Sequence, residues 1–559
     1  STNLRIFMNN LLNLNNLLAL SNDSLTKNNT IVDLKCMIYL EHLTLADISI
    51  VYFETTANNR LYVDLNLTNR FNVELNLNKI FHLGVYYSQL THLNARMLRG
   101  FKYLRSFDLI DTKLKYFESD TFAQMNDFYV AAIKRNSFQS TSTIRLNETK
   151  CDLLTYLDLS SNHIMHLDSE AFSTLTNLRR LALASNAIDF IPSGTFKRLI
   201  NLRILELFSN QIKRIEQDKF VGLSRLSILT LYDNEIESLI LDHLKNLRVL
   251  NVEQNKLTSL KSISFDSIQS LKQLNVERNP ISNLNLSNSK CSENVNSLDL
   301  SIHLVTERFN RVSFGCFHNL RTLSLGLDPL DKIDQNLVRI DLDGVLALEE
   351  LNLEKNSLAN FTRFHLISKI DGNLEKLVLW NNQIKAIDLI EFKGVEKLKV
   401  LDMSFNQIRS ISNVTLLGVE NLEHLNLDSN QIEGLCVCQF SGLPHLRGLN
   451  LARNQIEFVS NVTFDGIKLL EHLDLTECRI KSIKEVNFRG LALLRALSIG
   501  VNPITESIGI VKFFGLERLE TLEMQMLGIT EGHNSQNRCL QKKEEKKYLI
   551  HLSKVNDDS

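Results

Sequence analysis

The side chains best suited to chemistry in this sequence are two histidines, His424 and His472, each set in a Glu-His-Leu tripeptide. Paired histidines can hold a metal ion or exchange protons if the fold brings them together. They lie two repeats apart in a recurring pattern, which separates them by about 10 Å at the spacing of neighbouring strands. We therefore expect surface histidines rather than a metal site. G-x-S-x-G, H-E-x-x-H, P-loop and G-x-G-x-x-G motifs are absent, so we expect neither an enzyme nor a cofactor.

Aromatic residues recur at one position of the pattern and indicate recognition rather than catalysis. Phe208, Tyr232 and Trp380 each stand three residues after a regularly spaced leucine. Phe208 and Tyr232 belong to consecutive repeats and should be neighbours. Phe405 lies one position further along in the repeat after Trp380 and would extend the patch that Trp380 forms. Exposed aromatic side chains often dominate binding energy, although single exposed aromatics also occur without any function. These four are the candidate binding residues.

A repeat of the form L-x-x-L-x-L-x-x-N-x-I positions these side chains. Leu401, Leu425 and Leu449 mark three copies that are 24 residues apart. The alternation of apolar and polar residues predicts a short strand with one buried face, which stacking on the next copy would complete as a parallel sheet. The Asn lies where the chain turns off the strand, so its amide can bond the backbone of two coils. We expect this structural ladder at Asn162, Asn186, Asn210, Asn234, Asn255, Asn279, Asn356, Asn382, Asn406, Asn430, Asn454 and Asn502.

The repeat predicts an α/β solenoid: a leucine-rich repeat horseshoe with a parallel concave β-sheet, irregular convex arcs and about 20 coils. One column of this concave face, directly after the second leucine of each copy, is largely Asp, Glu or Asn. We expect it to be a solvated, mildly negative stripe. If it binds a ligand, it would favour a polar or basic protein or a sugar and disfavour nucleic acid.

Length and composition bound the organisation of the chain. Its 559 residues carry a net charge of −2, which argues against a basic nucleic-acid groove. We expect a degenerate N-terminal cap at 1–35, a solenoid at 36–530 that is irregular at about 54–80 and 300–375, and a charged tail at 531–559. For the tail we favour a short helix; the start of a coiled coil and disorder are the alternatives. No run approaches the ~20 apolar residues of a membrane span, so no transmembrane segment is expected in this chain.

Two cysteines and several sequons are candidates for covalent modification. Cys291 and Cys316 each precede a strand leucine by seven residues and so occupy equivalent positions on adjacent coils. A strand spacing of about 4.8 Å suits a disulfide between them; the alternative is two free buried thiols. The glycosylation candidates are Asn147, Asn285, Asn360, Asn413 and Asn461. A chain this rich in Asn, Ser and Thr contains such sequons by chance, so their number is no evidence for secretion.

A second signature, Phe-x-Gly-Leu, recurs between the strands at 220–223, 440–443 and 488–491. With the 24-residue period, it resembles the typical extracellular leucine-rich repeat class, which includes Toll-like receptor ectodomains, slit, chaoptin and arthropod leucine-rich repeat immune proteins. The resemblance covers about 36–530. It implies extracellular recognition in innate immunity or cell adhesion. The cysteine-rich flanks usual in that class are missing here.

The expected function is a non-catalytic extracellular recognition module that binds a protein, glycan or microbial ligand on the solenoid surface, as the ectodomain of a Toll-like or adhesion receptor. A homodimer or heterodimer is compatible with this reading. One alternative is a secreted, complement-like immune or adhesion protein that assembles through its tail. Another is an intracellular leucine-rich repeat scaffold, which reduced cysteines and unglycosylated sequons would favour.

Overall fold

The structure is a computed structural model of the chain. It describes most residues from 80 to 523, with longer gaps at 145–150, 282–293, 304–311, 328–338, 357–363, 368–372 and 505–515 and shorter ones elsewhere. Outside that span it describes only short strands between 30 and 74 and at 549–550. The chain divides into two compact units, Ser1–Val276 and Glu277–Ser559.

The first unit is built on one parallel sheet in which each strand pairs with the next copy of the repeat. Its strands are His42–Leu45, His82–Tyr86, Ser106–Ile110, Val130–Lys134, Tyr156–Asp158, Arg180–Ala182, Ile204–Glu206, Ile228–Thr230, Val249–Asn251 and Gln273–Asn275. From Tyr156 onward the strands are in register, so that the leucines at 157, 181, 205, 229, 250 and 274 face one another. These leucines are fully buried and form one wall of the core.

The opposite wall of the first unit comes from the Phe positions between the strands. Phe172, Phe196 and Phe220 are buried and stack in sequence, with ring centroids 6.4 Å and 6.3 Å apart. Short parallel pairs, His92–Leu93 with Tyr116–Phe117 and Arg214–Ile215 with Ser238–Leu239, run along this side. The described helix is limited to Ala95–Leu98 and the 3-10 turns Thr141–Thr143 and Leu260–Ser262.

The segment at 54–80, for which no regular repeat was expected, contains a separate small sheet. Arg60–Asp64 pairs antiparallel with both Tyr52–Thr55 and Arg70–Glu74, and Thr30–Asp33 pairs parallel with Arg70–Glu74. Alternating apolar and polar residues in this stretch therefore form hairpins rather than solenoid coils. The remainder of the expected cap at 1–35 lies outside the described residues.

The second unit repeats the same architecture. Its parallel strands are Ser297–His303, Thr322–Leu327, Glu350–Asn352, Lys376–Val378, Val400–Asp402, His424–Asn426, Gly448–Asn450, His472–Asp474, Ala496–Ser498, Thr521–Glu523 and Leu549–Ile550. A second parallel series, Val312–Ser313, Arg339–Asp341, Phe364–Ile367 and Ile390–Glu391, follows the arcs within the 300–375 stretch and just beyond it. The register shifts between Leu300 and His303.

The fold class is confirmed as a parallel-strand solenoid with little helix. Among the described residues about 14 turns carry a regular three-residue strand, so the coil count differs slightly from the 20 expected. The sheet strands before Tyr156 and those at 297–327 are longer. Apart from Leu549–Ile550, the tail expected to be helical lies outside the described residues.

Candidate ligand-binding face

The candidate face is the outer surface of each parallel sheet, here called the sheet face. It is formed by the residues on either side of the buried strand leucine, such as Ile204 and Glu206 around Leu205, and by the residues that directly follow the strand. Because side chains alternate across a strand, these positions point away from the core. Each position contributes one side chain per coil. Equivalent residues of successive coils therefore form a column in which neighbours lie about 4.8 Å apart.

The Asn ladder fixes the chain where it leaves each strand and so sets the positions that follow. Asn430 is typical: its amide donates to the carbonyl oxygens of Met403, Leu427 and Asp428 at 3.0, 3.0 and 3.2 Å. Its Oδ1 accepts from the backbone N–H of Ile408 at 3.0 Å. Eleven of the twelve ladder residues are buried, and Asn186 is half-buried. The ladder is therefore structural and does not itself offer a ligand site.

In the first unit the structure brings Phe208 and Tyr232 into contact. Their rings are stacked, with centroids 4.3 Å apart and planes inclined by 8°. Both are half-buried, so part of the pair is accessible to solvent. Partial burial raises the pKa of the Tyr232 phenol, and the nearby carboxylates of Glu253 and Asp233 raise it further. The neutral phenol is thus the stable form over the physiological range.

A network of fixed charges lies on the strands preceding this pair. Asp158 accepts hydrogen bonds from Tyr156 and from Lys134, and Arg180 forms a bidentate pair with Glu206 at 2.9 and 3.0 Å. Burial alone would raise the pKa of Asp158, but the hydrogen bonds from Lys134, Ser160 and Tyr156 outweigh it and lower that pKa. Burial and the Asp158 carboxylate both raise the pKa of Tyr156. The hydrogen bonds hold these side chains in place, and the charges of Lys134 and Arg180 balance those of Asp158 and Glu206.

In the second unit Trp380 and Phe405 also meet, in an edge-to-face arrangement with centroids 5.6 Å apart. Cations flank the pair: Lys355 Nζ lies 4.8 Å from the Trp380 ring and the Arg453 guanidinium 6.0 Å from the Phe405 ring. Arg453 is held by a bidentate ion pair with the buried Asp428 carboxylate. Phe405 remains 47% exposed. All four sequence-predicted aromatic residues therefore lie in two contact pairs, one in each unit.

The column two residues before the strand leucine differs between the units. In the second unit it alternates in charge, and Arg447 pairs with both Glu423 and Glu471, at 3.8 and 2.6 Å. In the first unit the exposed cations of this column have no carboxylate partner among the residues that the structure describes: Arg179, Arg203, Arg248 and Lys272. Although the net charge of the chain is −2, this column is basic in the first unit and neutralised by ion pairs in the second. We call it the basic edge of the first unit and the neutralised edge of the second.

The predicted covalent sites cannot be placed. Cys291, Cys316 and the sequon residues Asn147, Asn285, Asn360, Asn413 and Asn461 all lie outside the described residues. Cys478, which takes the ladder position of its coil, is buried, and its Sγ lies 3.4 Å from the carbonyl oxygen of Leu451. Burial raises the pKa of this thiol to about 11, so it stays protonated at neutral pH.

Among the described residues no cluster of three or more His, Cys, Asp or Glu side chains is arranged to hold a metal ion. The same part of the chain contains no helix that is long and apolar enough to cross a membrane. The two histidines singled out by their tripeptides lie instead on the sheet face of the second unit, where a depression opens between them. The sequence does not predict this depression. The one signal for it is the small residue Gly448 between the two histidines, and a glycine at a variable position of the repeat does not stand out.

Comparison with known proteins agrees with this architecture. The family model described as "Leucine rich repeat" matches residues 152–212, 176–236, 200–257, 372–432 and 421–480. Among solved structures, a crystal structure of a TLR13–ssRNA13 complex matches with a TM-score of 0.50 and 22% sequence identity, over 80% of this chain and 70% of that chain. At this identity the likeness extends to the fold alone. No curated protein matches the chain.

Proposed function

We propose that this chain, a leucine-rich repeat protein whose fold resembles Toll-like receptor ectodomains, is a non-catalytic extracellular recognition module. It binds a protein, glycan or microbial ligand on its sheet face. The observation that carries this proposal is the stacked Phe208–Tyr232 pair, which is partly exposed beside a network of fixed charges. Aromatic and arginine side chains held rigid before binding supply contact area at a small entropic cost.

The test is a binding screen of the full chain against arrays of extracellular proteins, glycans and microbial surface preparations. We expect the combined Phe208→Ala and Tyr232→Ala substitution to weaken binding of the captured ligand at least tenfold, because hot-spot truncations typically cost about 2 kcal/mol or more. Phe458→Ala is the matched control, since Phe458 is 60% exposed but lies outside the sheet face. Equal binding by wild type and double variant, or an equal loss in the control, would refute a role for the pair.

Nucleic acid belongs in the same screen as a second candidate ligand. The sequence predicts none, because of the net charge of the whole chain and the mildly negative stripe, but neither observation concerns the column two residues before the strand leucine. The exposed Arg179, Arg203, Arg248 and Lys272 favour a polyanion locally, and the TLR13 complex above contains ssRNA. A single-stranded RNA oligonucleotide that binds through this column would lose affinity steeply as salt rises. Salt-insensitive or absent RNA binding would leave the protein, glycan and microbial ligands as the proposed class.

A further inference from the structure

A depression of about 460 Å³ lies in the sheet face of the second unit. Six consecutive strands cross it, from Lys376–Val378 to Ala496–Ser498. At ~4.8 Å per strand it is roughly 24 Å long. Its polar side chains belong to two columns: one contains His424 and His472, and the other contains Asp402, Asn426, Asn450 and Asp474. The sequence predicts a solvated surface for both columns.

The depression exists because small residues interrupt the histidine column. Gly448 lies between His424 and His472 on the intervening strand, and Ala496 follows on the next one. A Cβ atom added at Gly448 would stand 2.5 Å from Nδ1 of His424, closer than such atoms approach in real proteins. The His424 ring therefore lies across Gly448. Any larger residue there would displace the ring and fill the space.

The second column presents a defined pattern of hydrogen-bonding atoms. In each of Asp402, Asn426, Asn450 and Asp474, Oδ1 accepts from the backbone N–H two residues later, at 2.9, 3.2, 3.0 and 2.9 Å. A backbone N–H can only donate, so the atom facing it in each Asn is the oxygen. The outward atoms are consequently a carboxylate oxygen, two amide nitrogens and a second carboxylate oxygen. They run acceptor, donor, donor, acceptor at intervals of about 4.8 Å.

The charges around this pattern disfavour an anionic ligand. Lys376, the one lysine of the lining, is paired with Glu350 at 2.7 Å, so it does not offset the carboxylates of Asp402 and Asp474. The adjoining edge is neutralised by the Arg447 pairs with Glu423 and Glu471. The strand leucines of the lining are buried, so a large apolar anchor has no deep pocket to fill. Hydroxyl groups both donate and accept, and a chain of them pairs with acceptors and donors alike. The strand spacing is also close to the rise of one hexose in an extended oligosaccharide.

An aromatic surface continues the depression at the end near Asp402. Trp380 follows the Lys376–Val378 strand by two residues and Phe405 follows Asp402 by three. The two rings meet edge to face and Phe405 is 47% exposed, so part of this aromatic surface is accessible to solvent. The apolar C–H face of a pyranose ring packs against such aromatic surfaces. A polar floor beside an aromatic platform is an arrangement that suits a sugar better than a phosphate chain or an apolar peptide.

We propose that this depression is a binding site for a neutral, extended oligosaccharide, whose hydroxyl groups bond the Asp402–Asn426–Asn450–Asp474 column and the two histidines. The inference deepens the proposed function, because it rests on the sheet face being the binding face, but it uses the second unit and different residues. Phe208 and Tyr232 take no part in it.

The test uses the full chain and three neutral hexasaccharides (maltohexaose, cellohexaose and hexa-N-acetylchitohexaose), with a heparin-derived hexasaccharide as the anionic comparison. Affinity is measured by calorimetry and saturation-transfer NMR. We expect at least one neutral hexasaccharide to bind. Asn450→Asp should weaken it at least tenfold, because it keeps the acceptor for the Ala452 N–H but turns the outward donor into an acceptor. Gly448→Ala should weaken it similarly by moving His424.

Asn251→Asp is the matched control. Asn251 makes the same local bond, to the N–H of Glu253 at 2.9 Å, but lies in the first unit outside the depression. If Asn450→Asp fails to fold, as judged by circular dichroism, His424→Ala gives the same information without touching the turn. Binding of the anionic hexasaccharide alone, no neutral binding at all, or neutral binding unchanged in Asn450→Asp, Gly448→Ala and His424→Ala would overturn the proposal. In each case a ligand captured through Phe208 and Tyr232 would leave the proposed function standing.

Discussion

At the scale of single residues, each ladder Asn satisfies backbone groups of two coils at once. Asn430 accounts for one N–H and three carbonyl oxygens, and two of those carbonyls belong to its own turn. No other side chain of this size offers two donors and an acceptor in one plane. Cys478 makes weaker bonds at the same ladder position: its Sγ lies 3.4 Å from the carbonyl oxygen of Leu451 and 3.8 Å from that of Thr476.

Replacing a ladder residue should therefore cost much more than replacing a surface Asn. We expect Asn430→Ala to lower the free energy of unfolding by about 3 kcal/mol, because it leaves several buried backbone groups without partners. Asn421→Ala is the control: Asn421 is exposed and donates to the Glu396 carbonyl at 2.8 Å, and its loss should cost about 0.5 kcal/mol. Urea unfolding of both variants checks this. Equal costs would mean that water replaces the ladder bonds.

Some contacts of the candidate binding residues can be predicted from the sequence and others cannot. The shared repeat position predicts the Phe208–Tyr232 contact, because residues equivalent in consecutive coils lie one strand apart. Phe405 lies one position further along its repeat than Trp380, but on the neighbouring coil, so the sequence predicts that the two share one patch. The repeat positions do not predict the depression, because the orientation of the His424 ring depends on a missing Cβ in the neighbouring coil.

At the scale of the structural element, the Phe-x-Gly-Leu signature has one sequence form but different environments. Gly222 has a φ of +94°, and an added Cβ would stand 2.3 Å from the carbonyl oxygen of Lys197 in the preceding coil. Gly442 belongs to the same signature at 440–443, yet none of the described neighbouring atoms lies within 4 Å of the corresponding Cβ position. The motif predicts where the arc turns, whereas the neighbouring coil decides whether glycine is required.

Gly194 and Gly222 have similar backbone angles but different surroundings. Comparing them distinguishes the cost of backbone strain from the cost of a steric clash. Gly194 has a φ of +89° but open space around its Cβ position. We expect Gly194→Ala to cost about 1 kcal/mol, the strain of a left-handed alanine. Gly222→Ala should cost about 3 kcal/mol or more, because the preceding coil must also shift. Thermal and urea unfolding of the two variants measure the difference. If their costs were the same, the close approach to Lys197 would be unimportant.

At the scale of the whole molecule, the extracellular proposal depends on chemistry that lies outside the described residues. We expect the mass of the secreted protein to fall after N-glycosidase treatment, and a non-reduced digest to contain a peptide that links Cys291 to Cys316. Oxidising compartments supply both modifications. Asn413→Gln should remove one glycan and serves as the internal control. An unchanged mass together with alkylation of all eight cysteines would instead favour the intracellular scaffold.

The sequence by itself determined the solenoid, the strand leucines, the Asn ladder and the pairing of the aromatic residues. It could do so because each coil contacts its neighbours through equivalent positions, so a fixed period in sequence becomes a fixed distance in space. Only the tertiary structure decided the hairpin sheet near residues 52–74, the contrast between the basic and neutralised edges, and the depression beside His424. These depend on which non-equivalent side chains meet across coils and which atoms are absent between them, and a repeat pattern carries no information about either.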